Sequence, residues 1–399
     1  IVDRDIDLSG LTTTQLTEKS FNRLVGIGDK RTISGANMTV NSAGSSFIYS
    51  IVSELTNIKF DNITFKNNAS GNYTGFIKYL NGSMENIDFH NITVDAAKAS
   101  YVGVISVNQA PIIRNILVDT ITIKGVSYVG FIGYSNVLPK TAITLRNETI
   151  DATGSYVGGL YGYEKWKEKG VYSSYIVGDN IKINQNITKY GNNVGGLFGY
   201  GSGSNISIAN SKITGKDYVG GVAGQNSNRT NDYIYAYNNK VVGSTSVGGL
   251  MGTNQPIYAS LVYNSKISGS SRVGGVVGYS SWPTIYGTGS VSNTVSGTNY
   301  SGGIVGYMSS ASVQYDYVRD TKVEGENYVG GLVGATTVSD NVIQYNTTNA
   351  TVTATKANAG GIIGYFNNTS TTTSRYRTRL YHNIVAGSKM SAADYAGGL

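Results

Sequence analysis

The chain has 399 residues, a formal charge of +7 and only 14% charged residues. It contains no cysteine, which excludes a disulfide framework, a thiolate zinc site and a cysteine nucleophile. With 52 Gly and 31 Tyr, and with Ser, Thr and Asn abundant, the composition suits short strands joined by turns. It does not suit helices, because Gly is costly there and Ser, Thr and Asn compete for helical backbone groups.

Four prolines exclude collagen-like or polyproline segments. Thin positive charge reads first as solubility, and only weakly as attraction to anionic surfaces. No run of about 20 apolar residues is present, so no spanning helix is expected. The start lacks the n-region and h-region of a signal peptide. The chain opens at Ile1 and stops inside a motif copy, Tyr395–Leu399, so the array is expected to continue beyond residue 399.

In chain order, residues 1–45 differ from the rest. Asp5–Leu8 alternates polar and apolar residues, as a half-exposed strand does; Gly26–Asp29 signals a turn and Thr32–Gly35 a second short strand. This segment reads as a cap over the first open edge of a stack, with residues 46–399 forming the array. In Glu54–Phe65 the apolar residues are Leu55, Ile58, Phe60, Ile63 and Phe65. Asn86–Val94 repeats them with Ile87, Phe89, Ile92 and Val94, and Asn115–Ile123 with Ile116, Val118, Ile121 and Ile123.

Between these strands lies a recurring motif, clearest as Tyr328-Val329-Gly330-Gly331-Leu332-Val333-Gly334. Its first glycine falls at Gly75, Gly103, Gly130, Gly158, Gly195, Gly220, Gly248, Gly274, Gly302, Gly330, Gly360 and Gly397. A period near 28 residues predicts an all-β, parallel β-solenoid (a β-helix) of about 12–13 coils, since one unit cannot bury its own apolar face and stacked units can. The fifth and usually the sixth motif positions are apolar, as in Leu332 and Val333. Either both faces are covered or a bulge breaks the alternation. The glycines permit either, by close backbone approach or by φ > 0.

Tyrosines flank the motif. They open it at Tyr73, Tyr101, Tyr128, Tyr156, Tyr218, Tyr300, Tyr328 and Tyr395, and close it at Tyr79, Tyr134, Tyr163, Tyr200, Tyr279, Tyr307 and Tyr365. Two stacked ladders are expected, serving either as a stabilising stack or as a platform for sugar rings or a partner's apolar surface. Tyr300 and Tyr328 are candidate contacts of the second kind. Two coils are long. One carries Lys165, Trp166 and Lys167; the other carries Arg375, Arg377 and Arg379, which share one face if extended. Insertions in repeat arrays map to loops, often on the binding face.

Catalytic constellations are not evident. His90 and His382 stand alone, so a His-based metal site or general base is not expected. No phosphate loop is present, and the motif glycines precede no helix. The best carboxylate group for glycoside chemistry is Asp316 and Asp320 with Glu324 and Glu326, which reads as a charged outer face. Nucleic acid is disfavoured because basic residues do not interleave with the tyrosines. Neither cofactor nor metal is expected. Asn-x-Ser/Thr sequons occur at Asn37, Asn62, Asn68, Asn72, Asn81, Asn91, Asn147, Asn186, Asn205, Asn228, Asn299, Asn346, Asn349, Asn367 and Asn368. They read either as N-glycosylation of an extracellular protein or as the Asn, Ser and Thr that coil turns prefer.

The copies from Tyr73 to Leu399, with the lead-in Asp5–Leu8 and Gly28–Gly35, resemble the GLUG repeats of microbial surface and secreted proteins. Similar arrays occur in the non-catalytic region of M26 IgA1-specific metallopeptidases and in adhesin-like proteins. The resemblance implies a β-solenoid but no activity, and the M26 zinc-binding motif has no counterpart here. Gly103-Val104 and Gly130-Phe131 depart from the Gly-Gly pair. The expected function is a non-enzymatic extracellular stalk, surface-layer, filament or adhesive module. Its partners would be a host or cell-surface protein or glycan, or further copies of itself. The alternatives are an accessory solenoid that positions substrate for a secreted M26-like zinc metallopeptidase, and a polysaccharide lyase or hydrolase.

Overall fold

The alternating apolar residues of the early coils lie in parallel strands matched residue to residue. The computed structural model describes residues 1–137, 140–165, 175–185, 192–225, 230–253, 256–337, 340–367 and 378–398, without the side chains of Lys140 and Asn367. Strand makes up 67% and helix 1%, and the chain is a parallel β-solenoid of about 12 turns with a period of ~28 residues. By compactness it divides into one unit of Ile1–Gly191 with Gly196–Gly201, and a second of Asn192–Gly195 with Ser202–Leu399.

In the first unit, Ser46–Asn67 pairs with Ser83–Asp95, which pairs with Ile112–Gly125, which pairs with Lys140–Ala152. The register aligns Ile58, Ile87, Ile116 and Ile143 in one column and Phe60, Phe89, Val118 and Leu145 in the next, all buried. Phe60 stacks on Phe89 with centroids 5.3 Å apart, and Phe47 on Phe76 at 4.8 Å. Each buried phenylalanine contributes roughly 1.5–3 kcal/mol over an exposed one. The first 45 residues lie against this stack: Ile6–Asp7 pairs with Arg31–Ser34, which pairs with Ser46–Asn67. Leu8, Leu16, Leu24 and Ile33 are buried. A helical turn, Thr13–Leu16, was not read from the sequence; its entry is held by the Thr12 N–H donating to Gln15 Oε1 at 2.9 Å.

Strands of the second unit are shorter, and its corners carry inward polar side chains. A corner interrupts the ladder and leaves a buried N–H, which costs about 1–3 kcal/mol if unpaired. Here the next coil supplies the acceptor. The N–H of Ser211 donates to Asn239 Oδ1 (2.9 Å), that of Asn239 to Ser265 Oγ (3.0 Å) and that of Ser265 to Asn293 Oδ1 (2.7 Å). At a second corner, Thr288, Asp316 and Asn346 donate in turn to Asp316 Oδ1, Asn346 Oδ1 and Asn383 Oδ1, at 2.6, 2.8 and 3.1 Å.

The motif glycines are explained by crowding rather than by handedness. None of them has φ > 0; that conformation falls on the residue opening the motif, as at Tyr101 (φ 57°), Tyr156 (φ 62°) and Tyr328 (φ 53°). A Cβ on Gly330 would lie 1.9 Å from Val333 O, and one on Gly331 would lie 2.1 Å from Gly361 O. The adjacent apolar residues are both buried through a bulge, since the N–H groups of Leu332 and Val333 both donate to Ile362 O, at 3.1 and 2.9 Å.

Candidate interaction surfaces

In the first unit the motif tyrosines from Tyr73 to Tyr200 stack, but as one interlocked layer rather than two separate ladders. In the first unit, centroids are 4.7 Å apart for Tyr73–Tyr101, 4.3 Å for Tyr101–Tyr128 and 4.9 Å for Tyr128–Tyr156. The closing row, Tyr134–Tyr163–Tyr200, runs beside it at 5.7 and 4.8 Å. Edge-to-face contacts join the rows, as between Tyr128 and Tyr163 (5.7 Å) and Tyr156 and Tyr163 (5.1 Å). Burial, and then the neighbouring Tyr101, push the Tyr128 phenol up to about 12. At the start of the layer the Lys78 ammonium sits 5.1 Å from the Tyr49 ring.

Of the candidate contacts, Tyr300 and Tyr328 stack on each other at 5.6 Å, each also meeting a closing tyrosine: Tyr307 at 5.3 Å and Tyr365 at 4.3 Å. Both are half-buried, so most of their ring surface is spent within the stack. Where Arg272 opens a copy, its guanidinium covers the Tyr279 ring at 4.9 Å and the Tyr307 ring at 5.3 Å. Lys165 is exposed, with its N–H donating to Ser135 O, and Arg379 is exposed in the strand Arg379–Tyr381. Trp166, Lys167, Arg375 and Arg377 lie outside the described residues.

The carboxylates considered for glycoside chemistry are dispersed. Asp316 is buried at its corner, where burial pushes its carboxyl well up and Oδ2 has no hydrogen-bond partner. Asp320 is largely exposed. Glu324 pairs with Lys322 at 2.5 Å and Glu326 with Lys356 at 2.6 Å. Among the described residues no three of His, Asp and Glu converge as a metal site. His90 bonds Asp61 at 2.6 Å, and His382 stacks on Tyr345 at 4.9 Å. No helix of the described residues is long and apolar enough to cross a membrane.

Several sequon asparagines are corner residues. Asn62, Asn91, Asn147 and Asn205 have φ of 52–54°, a conformation that Asn tolerates better than most residues. Asn91 Nδ2 donates to Asn62 Oδ1 at 3.1 Å and Asn147 Nδ2 to Asp119 Oδ1 at 2.8 Å. Asn346 is buried and donates to Val313 O at 2.9 Å. Asn37, Asn68 and Asn72 are exposed, while Asn81, Asn299 and Asn349 are half-buried. Asn186, Asn228 and Asn368 and the Asn367 side chain lie outside the description.

A third aromatic row escaped the sequence reading. Tyr286, Tyr315 and Tyr345 succeed one another at 5.0 and 4.8 Å in the second unit, 41–47% exposed. These residues lie outside the glycine motif, so their shared phase is visible only once the coils are aligned. A buried carboxyl was missed too. In the register of the first unit Glu148 is level with Ile121, which is level with Ile92 and Ile63; Glu148 is fully buried and neither of its oxygens has a partner.

No protein-family model matches the chain, and no curated protein matches it. Among solved structures, the A-module of the Azotobacter vinelandii mannuronan C-5 epimerase AlgE6 is similar over 93% of this chain and 88% of its own, at 11% identity and a TM-score of 0.29. The fold rests on the parallel register of its own strands, as from Ser46–Asn67 through Ser83–Asp95 to Ile112–Gly125.

Proposed function

We propose that the chain is a non-enzymatic, extracellular β-solenoid serving as a structural or adhesive module of a cell-surface protein. One observation carries this reading: coil after coil uses its side chains to hold the next coil and leaves rows of like residues facing outward. The motif tyrosines interlock, the inward Asn, Ser and Thr close the corners, and Glu326 pairs with Lys356 of the next coil. Such a surface presents the same chemistry at every rung, which suits repeated contact with a long partner better than chemistry at one point. The resemblance of the Tyr-Val-Gly-Gly copies to GLUG repeats supports the same placement on a microbial surface. Exposed sequons such as Asn37 and Asn72 are compatible with N-glycosylation there.

The test has two arms. The purified chain is incubated with a polysaccharide panel, with and without calcium, and coated beads are applied to cells. The reading expects no cleavage and retention of the beads. Turnover of any polysaccharide would replace it with an enzymatic function.

A further inference from the structure

The second unit carries an uncompensated row of positive charge. Lys212 pairs in register with Lys240, and Lys240 with Lys266. Adjacent parallel strands lie about 4.8 Å apart, so three ammonium-bearing residues succeed one another on neighbouring rungs. All three are exposed, and none takes part in an ion pair among the described residues. From Ser202 to Gly289 the sequence holds two carboxylates, Asp217 and Asp232. Asp217 stands in a different column, level with Thr245, and Asp232 is level with Tyr258. Like charges directly opposite one another on a sheet are destabilising. A fold that keeps three in line without a counter-charge leaves an acceptor site for an external anion.

A second observation narrows the ligand. Across the Asn238 corner from Lys240, the outward residues of Ile234–Tyr237 are Tyr235 and Tyr237, and the next rung adds Tyr263. They are 53%, 46% and 40% exposed. Tyr237 and Tyr263 stack on each other at 5.5 Å with ring planes 13° apart. One face of each of these two rings is therefore covered by the other, which narrows the open ring surface on which a run of nucleobases could stack. The pair offers ring edges and phenolic hydroxyls, across the corner from a line of cations. That combination fits a chain with a negative charge and hydroxyls on each repeating unit.

We infer that Lys212, Lys240 and Lys266, with Tyr235, Tyr237 and Tyr263, form a binding face for an acidic polysaccharide lying along the rungs. The inference rests on the adhesive reading and supplies its ligand class. The lysines provide attraction along the row, and the tyrosine hydroxyls hydrogen-bond the sugar.

The experiment measures binding of the whole chain to polygalacturonate, with the same polymer fully methyl-esterified as the uncharged control. Oligothymidylate and phosphatidylserine–phosphatidylcholine vesicles stand for other anions. Expected are binding to polygalacturonate that weakens steeply with added NaCl, and little binding to the ester. Lys240→Ala should weaken it about five-fold, and Lys212→Glu/Lys240→Glu/Lys266→Glu at least ~100-fold, at about 1 kcal/mol per surface lysine. Tyr237→Ala/Tyr263→Ala should lower affinity while preserving the salt dependence. Reversal of the exposed Lys98 and half-buried Lys124 of the first unit serves as the charge control and should change little. Equal binding of the ester, tighter binding of oligothymidylate or vesicles, or indifference to the triple reversal would each overturn the inference. A chain that retains beads on cells yet ignores polygalacturonate would keep the adhesive reading and lose this site.

Discussion

The two units solve the same problem with different chemistry. In the first, the interior is filled by stacked apolar side chains, Phe60 on Phe89 and Phe47 on Phe76, and outward charges are matched between coils. Arg23 meets Glu54 at 2.6 Å, Lys30 meets Asp88 at 2.7 Å and Arg114 meets Glu85 at 2.7 Å, each across neighbouring coils or further. In the second unit the interior is apolar as well, as at Ile267, Val273 and Ile304, but hydrogen bonds also run from corner to corner, and a row of lysines goes unmatched. A stack can thus be held by filling space with charges matched outside, or by filling space and closing orphaned backbone groups at the corners.

The largest expected effect tests the space-filling half. Phe89→Ala should cost about 3–5 kcal/mol, because the cavity lies between neighbours fixed by their own ladders. Denaturant unfolding of the whole chain reads it, and a loss under 1 kcal/mol would erase the contrast between the units.

Next comes the hydrogen-bonded half. Asn293 accepts from the Ser265 N–H and donates to Val262 O at 2.9 Å, both within the buried interior. Asn293→Ala orphans a donor and an acceptor and should cost about 2–4 kcal/mol, at roughly 1–3 kcal/mol per group. Hydrogen exchange should then speed up first at the Ser265 amide; unchanged protection there would remove the role given to the corner.

Each unit also contains a carboxyl that works against its own scheme, and these give smaller effects of opposite sign. Burial raises Glu148 well above the ordinary carboxylate range, and burial likewise raises Asp316, opposed by the Thr288 and Gln314 N–H groups. A carboxyl raised on folding favours the fold fully below its unfolded value, near 4, and loses that contribution as pH rises toward its folded value. Glu148→Ile, which restores the residue found at Ile63, Ile92 and Ile121, should therefore stabilise by about 1–3 kcal/mol at neutral pH. Asp316→Asn copies Asn346 and Asn383, whose Nδ2 groups donate to Val313 O and Ile343 O, and should gain about 1 kcal/mol. Both gains should shrink toward pH 4; a gain independent of pH would show that packing, not ionisation, is responsible.

The smallest effect concerns matched charge. Removing Lys30 from Asp88 should cost no more than about 1 kcal/mol, because both side chains keep a quarter of their surface in water. A larger loss would show that the first unit depends on its charges as well as its core.

How much of this could be read from the chain follows from period and phase. Leu55, Ile58, Phe60 and Ile63 declared their inward direction by alternation, and the spaced glycines declared the coil length. The reason for Gly331 was not legible, since crowding against Gly361 O depends on a residue one coil away. Nor was the left-handed backbone at Tyr328, because bulky residues avoid it unless the surroundings impose it. Glu148 was hidden by its type: a glutamate in an alternating strand reads as outward until the register places it level with Ile121. The lysine row was hidden by spacing, since Lys212, Lys240 and Lys266 become neighbours only when coils of unequal length are aligned.

That alignment is the central claim, and the cysteine-free chain allows a direct test. Residues level on adjacent strands lie about 4.8 Å apart, within the 4.4–6.8 Å that a disulfide spans, whereas residues offset by two lie about 7–8 Å apart. On mild oxidation, Lys240→Cys/Lys266→Cys should form an intramolecular disulfide rapidly, and Lys240→Cys/Ser268→Cys should not. Preferential crosslinking of the offset pair, or of neither, would contradict the register and with it the row of lysines on which the binding face depends.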